Sequence, residues 1–142
     1  MKLSFRSLAI LSALGFFVLA LVWMFAPNAI LSSWGVAFSY PVGLVSRRAG
    51  ALYVGIAVML FRARNAEPSP TRSALVAGFV VACLTLAALG AYELVTGHAS
   101  RNVACAVFIE AAFALAFVLV SRSKQPASEA KMIDAPRPDR QR

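Results

Sequence analysis

The acidic residue that stands out in this chain is Glu110, because it interrupts an otherwise apolar run from Asn102 to Val120. On an apolar helix of that length, an ionised carboxylate at the centre costs at least about 2.5–3.5 kcal/mol in hydrocarbon. Such a group is turned toward other protein segments, and there it is paired or held protonated. Arg47 and Arg48 are the nearest basic candidates by depth, if their helix starts close to Pro41. They lie about 100° apart around the helix, so one site can take only one of them. Arg47 shares a side with Gly50, Ala51 and Val54 and is expected to face inward. Arg48 sits with Leu52, Ile56 and Met59 and is expected to snorkel outward. Glu93 ends the preceding apolar run and could join the cluster, with His98 and Arg101 at its rim. Arg47, Glu93 and Glu110 are therefore the candidate ligand-binding residues. An Arg–Glu pair that only fixes helix register explains the same residues. Tyr53 and Tyr92 could add hydroxyls, or serve packing alone.

Other chemistry finds less footing. Cys83 and Cys105 are the only cysteines. Their expected depths differ too much for a disulfide, which needs Cα atoms within about 7 Å. With no matching His or Cys set they suggest no metal site, and both read as small buried apolar residues. No phosphate loop, dinucleotide fingerprint, HExxH pair, CxxC motif or nucleophile elbow occurs. No catalytic residue and no cofactor is assigned, and enzymatic activity is the least favoured of the readings.

The elements that must hold these residues follow from composition. Of 142 residues, 60% are hydrophobic and 14% charged, against roughly 25% charged in soluble proteins. A water-soluble domain of this size buries only about two-thirds of the surface its unfolded chain exposes, so the excess apolar surface must meet lipid. The net charge of +8 does not imply nucleic acid. The basic residues flank apolar runs and crowd the C-terminus, and they form no basic helix face interleaved with aromatics.

The apolar runs are Leu8 to Ala26, Ala49 to Phe61 extended back to Pro41, Ser73 to Tyr92, and Asn102 to Val120. Each approaches the roughly 20 residues that cross a bilayer as a helix. The first is longer than the apolar region of a signal peptide, about 7–15 residues, and is read as a retained helix. Between the first two lies an uncharged stretch, Ala29 to Val45, carrying Trp34 and Tyr40, which suits a membrane interface or a fifth span. Charge bias separates these alternatives. With four spans and the N-terminus inside, Lys2, Arg6, Arg62, Arg64, Arg72 and the basic tail are all cytoplasmic, leaving Arg47, Arg48 and Arg101 outside. Five spans would reverse that distribution and violate the positive-inside rule.

The expected fold is thus all-α: a four-transmembrane-helix bundle over residues 1–121, with an apolar outer segment between its first two spans. Residues 122–142 are expected to form a disordered basic cytoplasmic tail. Ala74, Gly78 and Ala82 on the third span, Gly50, Ala51 and Gly55 on the second, and Ala104, Ala112 and Ala116 on the fourth suggest seams of close helix packing.

The Arg47-x-x-Gly50 step, followed by Gly55 and an apolar run ending at Arg64, resembles the small four-helix bacterial membrane proteins of the DoxX-like group. That resemblance covers most of residues 8 to 120 and matches Arg47 to the family's position. It implies a four-helix bundle of the bacterial inner membrane. Relatives of that group are associated with thiosulfate:quinone oxidoreductase subunits and redox-stress complexes. Taken together, the sequence favours a non-enzymatic accessory or scaffold subunit of the inner membrane, in contact with lipid, with itself as a homo-oligomer or with a membrane-complex partner. The alternatives are binding or transport of a small polar or lipidic ligand at an outer-side Arg47/Glu110 pocket, or a DoxX-like redox-associated subunit.

Overall fold

A computed structural model describes residues 4–122, and the expected tail lies almost wholly outside these described residues. The chain is all-helical over that range: α1 (Phe5–Phe25), α2 (Pro27–Ser33), α3 (Tyr40–Ala63), α4 (Pro70–Val95) and α5 (Val103–Arg122). The four long helices are each long and apolar enough to cross a membrane. The stretch that could have been a fifth span divides instead into the short α2, a turn at Gly35, and the first turns of α3.

The helix starts are written locally. Ser4, Ser39 and Ser69 each occupy an N-cap, and their side chains accept from the backbone N–H of Ser7, Val42 and Arg72. This satisfies donors that the first turn leaves without partners. Pro27, Pro41 and Pro70 follow in the first turns of α2, α3 and α4, where a missing N–H costs nothing. The α4 C-terminus closes on Gly97 at φ +75°, with His98 N–H donating to the Glu93 carbonyl at 3.0 Å and Gly97 N–H to that of Leu94 at 3.3 Å. This is the paired bonding of a Schellman cap, in which glycine supplies the left-handed residue.

The long helices pack as two pairs, α1 with α3 and α4 with α5, and contacts between α1 and α5 join the pairs. Ser4, the α3–α4 loop and Arg72 meet around one pocket, and Phe5 packs against Phe117 near the end of α5. Both ends of the described chain therefore lie together, at what we term the basal end. The α4–α5 turn is bonded to the end of α2 at the opposite, apical end.

The basal half is filled by aromatic side chains. Phe16 packs on Tyr53, Phe79 and Phe113, and Phe79 packs edge-on against Phe117 at 4.9 Å between ring centres. Edge-to-face pairs of this kind contribute about 0.5–1.5 kcal/mol beyond the area they bury. Leu8, Ala9, Ala57, Leu60, Val76 and Cys83 complete this core. Arg72 is buried at its basal rim, with its guanidinium 3.6 Å from the centre of the Phe5 ring and Nη1 donating to the Ala66 carbonyl at 3.1 Å. It thereby ties α1 to the α3–α4 loop.

The inward face of α3 corrects the sequence expectation by one position. Gly43, Ser46, Gly50, Ala57 and Leu60 are buried, with Tyr53 partly so, while Arg47, Ala51 and Gly55 are exposed. Gly50 alone of the small residues in that cluster is a contact point. A Cβ there would meet Met24 Cγ at 2.8 Å and the Ala20 carbonyl oxygen at 3.1 Å, whereas one at Gly55 would meet nothing within 4 Å. The Ala74/Gly78/Ala82 stripe likewise faces outward, and of the proposed α5 stripe only Ala116 is partly covered. Cys83 is buried as expected, but Cys105 is exposed, and both are free thiols. Gly50→Ala is accordingly expected to destabilise the protein by about 1–3 kcal/mol, the usual cost of overpacking. Gly55→Ala should be neutral or slightly stabilising, since alanine is the better helix former. Thermal unfolding of the detergent-solubilised variants reads the difference directly.

Candidate functional site

Glu110 lies on the stripe of α5 that packs inward. Val103, Ala114, Phe117 and Val120 are buried on this stripe, Val107, Glu110 and Phe113 are partly buried, and Phe108 and Ile109 beside Glu110 are exposed. By helical rise Glu110 is about 10 Å from the apical start of its helix. Glu110 lines a cavity of about 410 Å³ in the apical half, beyond the aromatic core. All four long helices contribute to its walls: Trp23 from α1, Ala49 and Tyr53 from α3, Leu86, Leu89, Gly90 and Glu93 from α4, and Val103, Ala106, Val107 and Glu110 from α5. Trp34, Val36, His98 and Ala99 close it from the apical connections.

Local structure sets each of these positions. Trp34 follows α2, and its carbonyl accepts from Ser100 N–H at 2.9 Å. The preceding Ser33 carbonyl accepts from both the Ser100 hydroxyl and Asn102 Nδ2. These bonds clasp α2 to the α4–α5 turn, although more than sixty residues separate them in sequence. Gly35, at φ +81°, reverses the chain immediately afterwards, a conformation that L side chains rarely adopt. The Trp34 ring is held against Trp23 at 5.5 Å between ring centres and a 66° interplanar angle. At the rim, the Schellman cap brings His98 back over the last turn of α4, and its Nδ1 lies 3.2 Å from Glu93 Oε2. Below it, Gly90 allows α4 to approach α5, since a Cβ at that position would meet Val107 Cγ2.

Two of the three residues singled out from sequence, Glu93 and Glu110, thus share one cavity. Arg47 does not line it. Its helix turns Ser46 and Gly50 inward and leaves both Arg47 and Arg48 exposed, and no ion pair joins Arg47 to Glu110 among the described residues. The physical reason is the tight crossing at Gly50: with Gly50 against Ala20 and Trp23, the inward stripe is Ser46–Gly50–Tyr53–Ala57, and Arg47 falls about 100° away from Ser46. Arg101 is also exposed and outside the cavity walls. His98 is at the rim as expected. Tyr53 lines the cavity, and Tyr92 is exposed.

The sequence reading missed the two tryptophan walls. Trp23 near the end of one apolar helix and Trp34 in the following uncharged stretch carried that signal, since bulky aromatics on consecutive segments at the same depth readily meet. In charge terms the walls contain two carboxylates and one imidazole, and neither Lys nor Arg. Among the described residues no group of three or more His, Cys, Asp or Glu side chains is arranged to hold a metal ion.

Compared with known proteins, the chain matches no family model, no curated protein and no solved structure. The site is therefore read from its own geometry. If the α5 stripe shelters Glu110, its neighbour Ile109, 52% exposed, is the wrong place for an acid. Glu110→Gln should accumulate in membranes like the wild type. Moving the acid by one position, as Glu110→Ile combined with Ile109→Glu, should turn it toward lipid and destabilise the folded bundle by about 2.5–3.5 kcal/mol. Membrane yield and thermal unfolding of the full-length variants measure both.

Proposed function

We propose that this chain is a multi-pass protein of a bacterial inner membrane whose apical cavity binds a small ligand. The carrying observation is the shared cavity itself. An intramembrane acid that served only to pair two helices would be expected to sit in a dry contact against a base. Glu110 instead opens, with Glu93, Tyr53 and two tryptophans, onto a volume of about 410 Å³, within the range of small-molecule sites. The distribution of basic residues supports a topology with both termini cytoplasmic: Arg6, Arg62, Arg64 and Arg72 lie at the basal end, and the sequence beyond α5 adds further basic residues, against Arg47, Arg48 and Arg101 toward the apical end. The apical cavity would then open toward the outer face. The DoxX-like assignment rests on Arg47-x-x-Gly50, and the close approach of Gly50 to α1 gives that glycine a physical reason.

An accessory or scaffold role is the second reading. Its support is the outward-facing Ala74/Gly78/Ala82 stripe of α4, where Gly78 has open space beside it and a second helix could approach closely. Gly78→Leu would then abolish an oligomer or complex seen by native mass spectrometry, while leaving ligand binding intact.

The ligand-binding reading is tested with three probes of similar shape: choline, 3,3-dimethylbutan-1-ol and 3,3-dimethylbutanoate. Both tryptophans of the chain line the cavity, so intrinsic tryptophan fluorescence responds to its occupation, and because Trp23 also borders a neighbouring groove with Leu31 and Val45, a cavity-filling variant assigns the response. At least one probe is expected to change the emission saturably in the wild type. Ala106→Phe, which fills the cavity from α5, should abolish the change. No saturable response to any probe overturns the reading. Fusion of a fluorescent protein at the C-terminus should give fluorescent cells, and fusion of alkaline phosphatase should give no activity. The opposite pattern overturns the topology.

A further inference from the structure

Which class of ligand the cavity accepts follows from the chemistry of its walls, given that it binds a ligand at all. We infer that the apical cavity is a site for an organic ammonium cation, carried on a free amine or on a lipid headgroup.

The charge balance comes first. Glu93 is the only one of the two wall carboxylates with an ionic neighbour, His98 at 3.2 Å. Even with that imidazole protonated, an ionised Glu110 leaves the walls with net negative charge, because Lys and Arg are absent from them. Arg47, Arg48 and Arg101, the basic residues of that end, all turn outward. A carboxylate in a low-dielectric site takes up a proton unless an opposite charge or hydrogen-bond donors close by stabilise its charged form. The protein supplies none among the described residues, and a cationic ligand does. An anionic ligand would face repulsion from both acids.

Ring chemistry selects the kind of cation. Trp23 and Trp34 meet at an angle of 66°, and Tyr53 stands on the neighbouring wall beside Ala49. Indole and phenol faces attract ammonium groups through the ring quadrupole, and quaternary ammonium recognition by such rings is a recurring use of that attraction. A hard metal ion, by contrast, needs six or more oxygen ligands, while most of these walls are aliphatic or indole surface. Carboxylates, two indole rings and apolar walls together suit a cation that is partly hydrophobic and holds its hydration weakly.

The test compares choline with its uncharged isostere 3,3-dimethylbutan-1-ol on the full-length protein in nanodiscs, read by tryptophan emission. Choline is expected to bind at least about tenfold more tightly than the isostere. Glu110→Gln should remove that preference while leaving the affinity for the isostere within about twofold of wild type. The unchanged isostere affinity shows that the variant is folded. Equal affinity for both probes in the wild type overturns the cation assignment and leaves the ligand-binding reading standing. A choline preference that survives in Glu110→Gln also overturns the assignment. Absence of any response to either probe removes the ligand-binding reading itself. Repeating the titration in nanodiscs of phosphatidylglycerol with and without phosphatidylethanolamine separates the two sources: weaker choline binding with phosphatidylethanolamine present identifies a lipid amine as occupant, and equal binding identifies a free amine.

Discussion

A carboxylate on an apolar helix is tolerated only where other side chains stand between it and hydrocarbon. In this protein the stripe of α5 that carries Glu110 is the same stripe that packs inward, from Val103 to Phe117. The rotation of α5 is therefore fixed by two demands that agree. Apolar residues such as Phe108 and Ile109 turn outward, and the one acid of the helix turns in. Because α5 packs chiefly on α4, and Gly90 lets the two approach closely beside Val107, the acid sits one turn from a close contact of that pair.

The rest of the architecture decides whether the sheltered acid meets packing or space. In the basal half, Phe16, Phe79, Phe113 and Phe117 bring the two helix pairs together through ring contacts. In the apical half, residues of all four long helices, among them Trp23, Ala49, Gly90 and Ala106, enclose a gap instead. The gap is roofed by Trp34, whose backbone is clasped to the α4–α5 turn through Ser100. An uncharged connection of this kind serves as part of the wall, which accounts for the apolar composition of a segment too short to cross a membrane alone.

Much of this was legible in the amino-acid sequence, because membrane-length apolar runs and basic flanks are local signals. They place the four long helices within a few residues of their observed ends. Glu110 and Glu93 could likewise be picked out from their positions in those runs. The partner assigned to Glu110 was the failure. Choosing Arg47 required knowing how α3 is rotated about its axis, and a helix with Gly50, Ala51 and Gly55 on adjacent positions presents several plausible close-packing faces. Only the contact of Gly50 with α1 selects among them, and that is a tertiary fact. The same limitation applies to the Ala74/Gly78/Ala82 stripe, whose spacing suits packing although the single chain leaves it uncovered.

The claim on which everything else stands is that the side chain at position 110 faces the interior cavity and that its neighbours do not. Nitroxide labels placed at Glu110→Cys and, separately, at Phe108→Cys, in a background of Cys83→Ala and Cys105→Ala, compare the two environments in lipid bilayers. Position 108, whose side chain is 81% exposed, should show the high oxygen collision rate of a lipid-facing site. Position 110 should show a low oxygen rate and greater access to a water-soluble nickel complex. Equal, lipid-like collision profiles at both positions would contradict an interior acid and, with it, the cavity as a binding site.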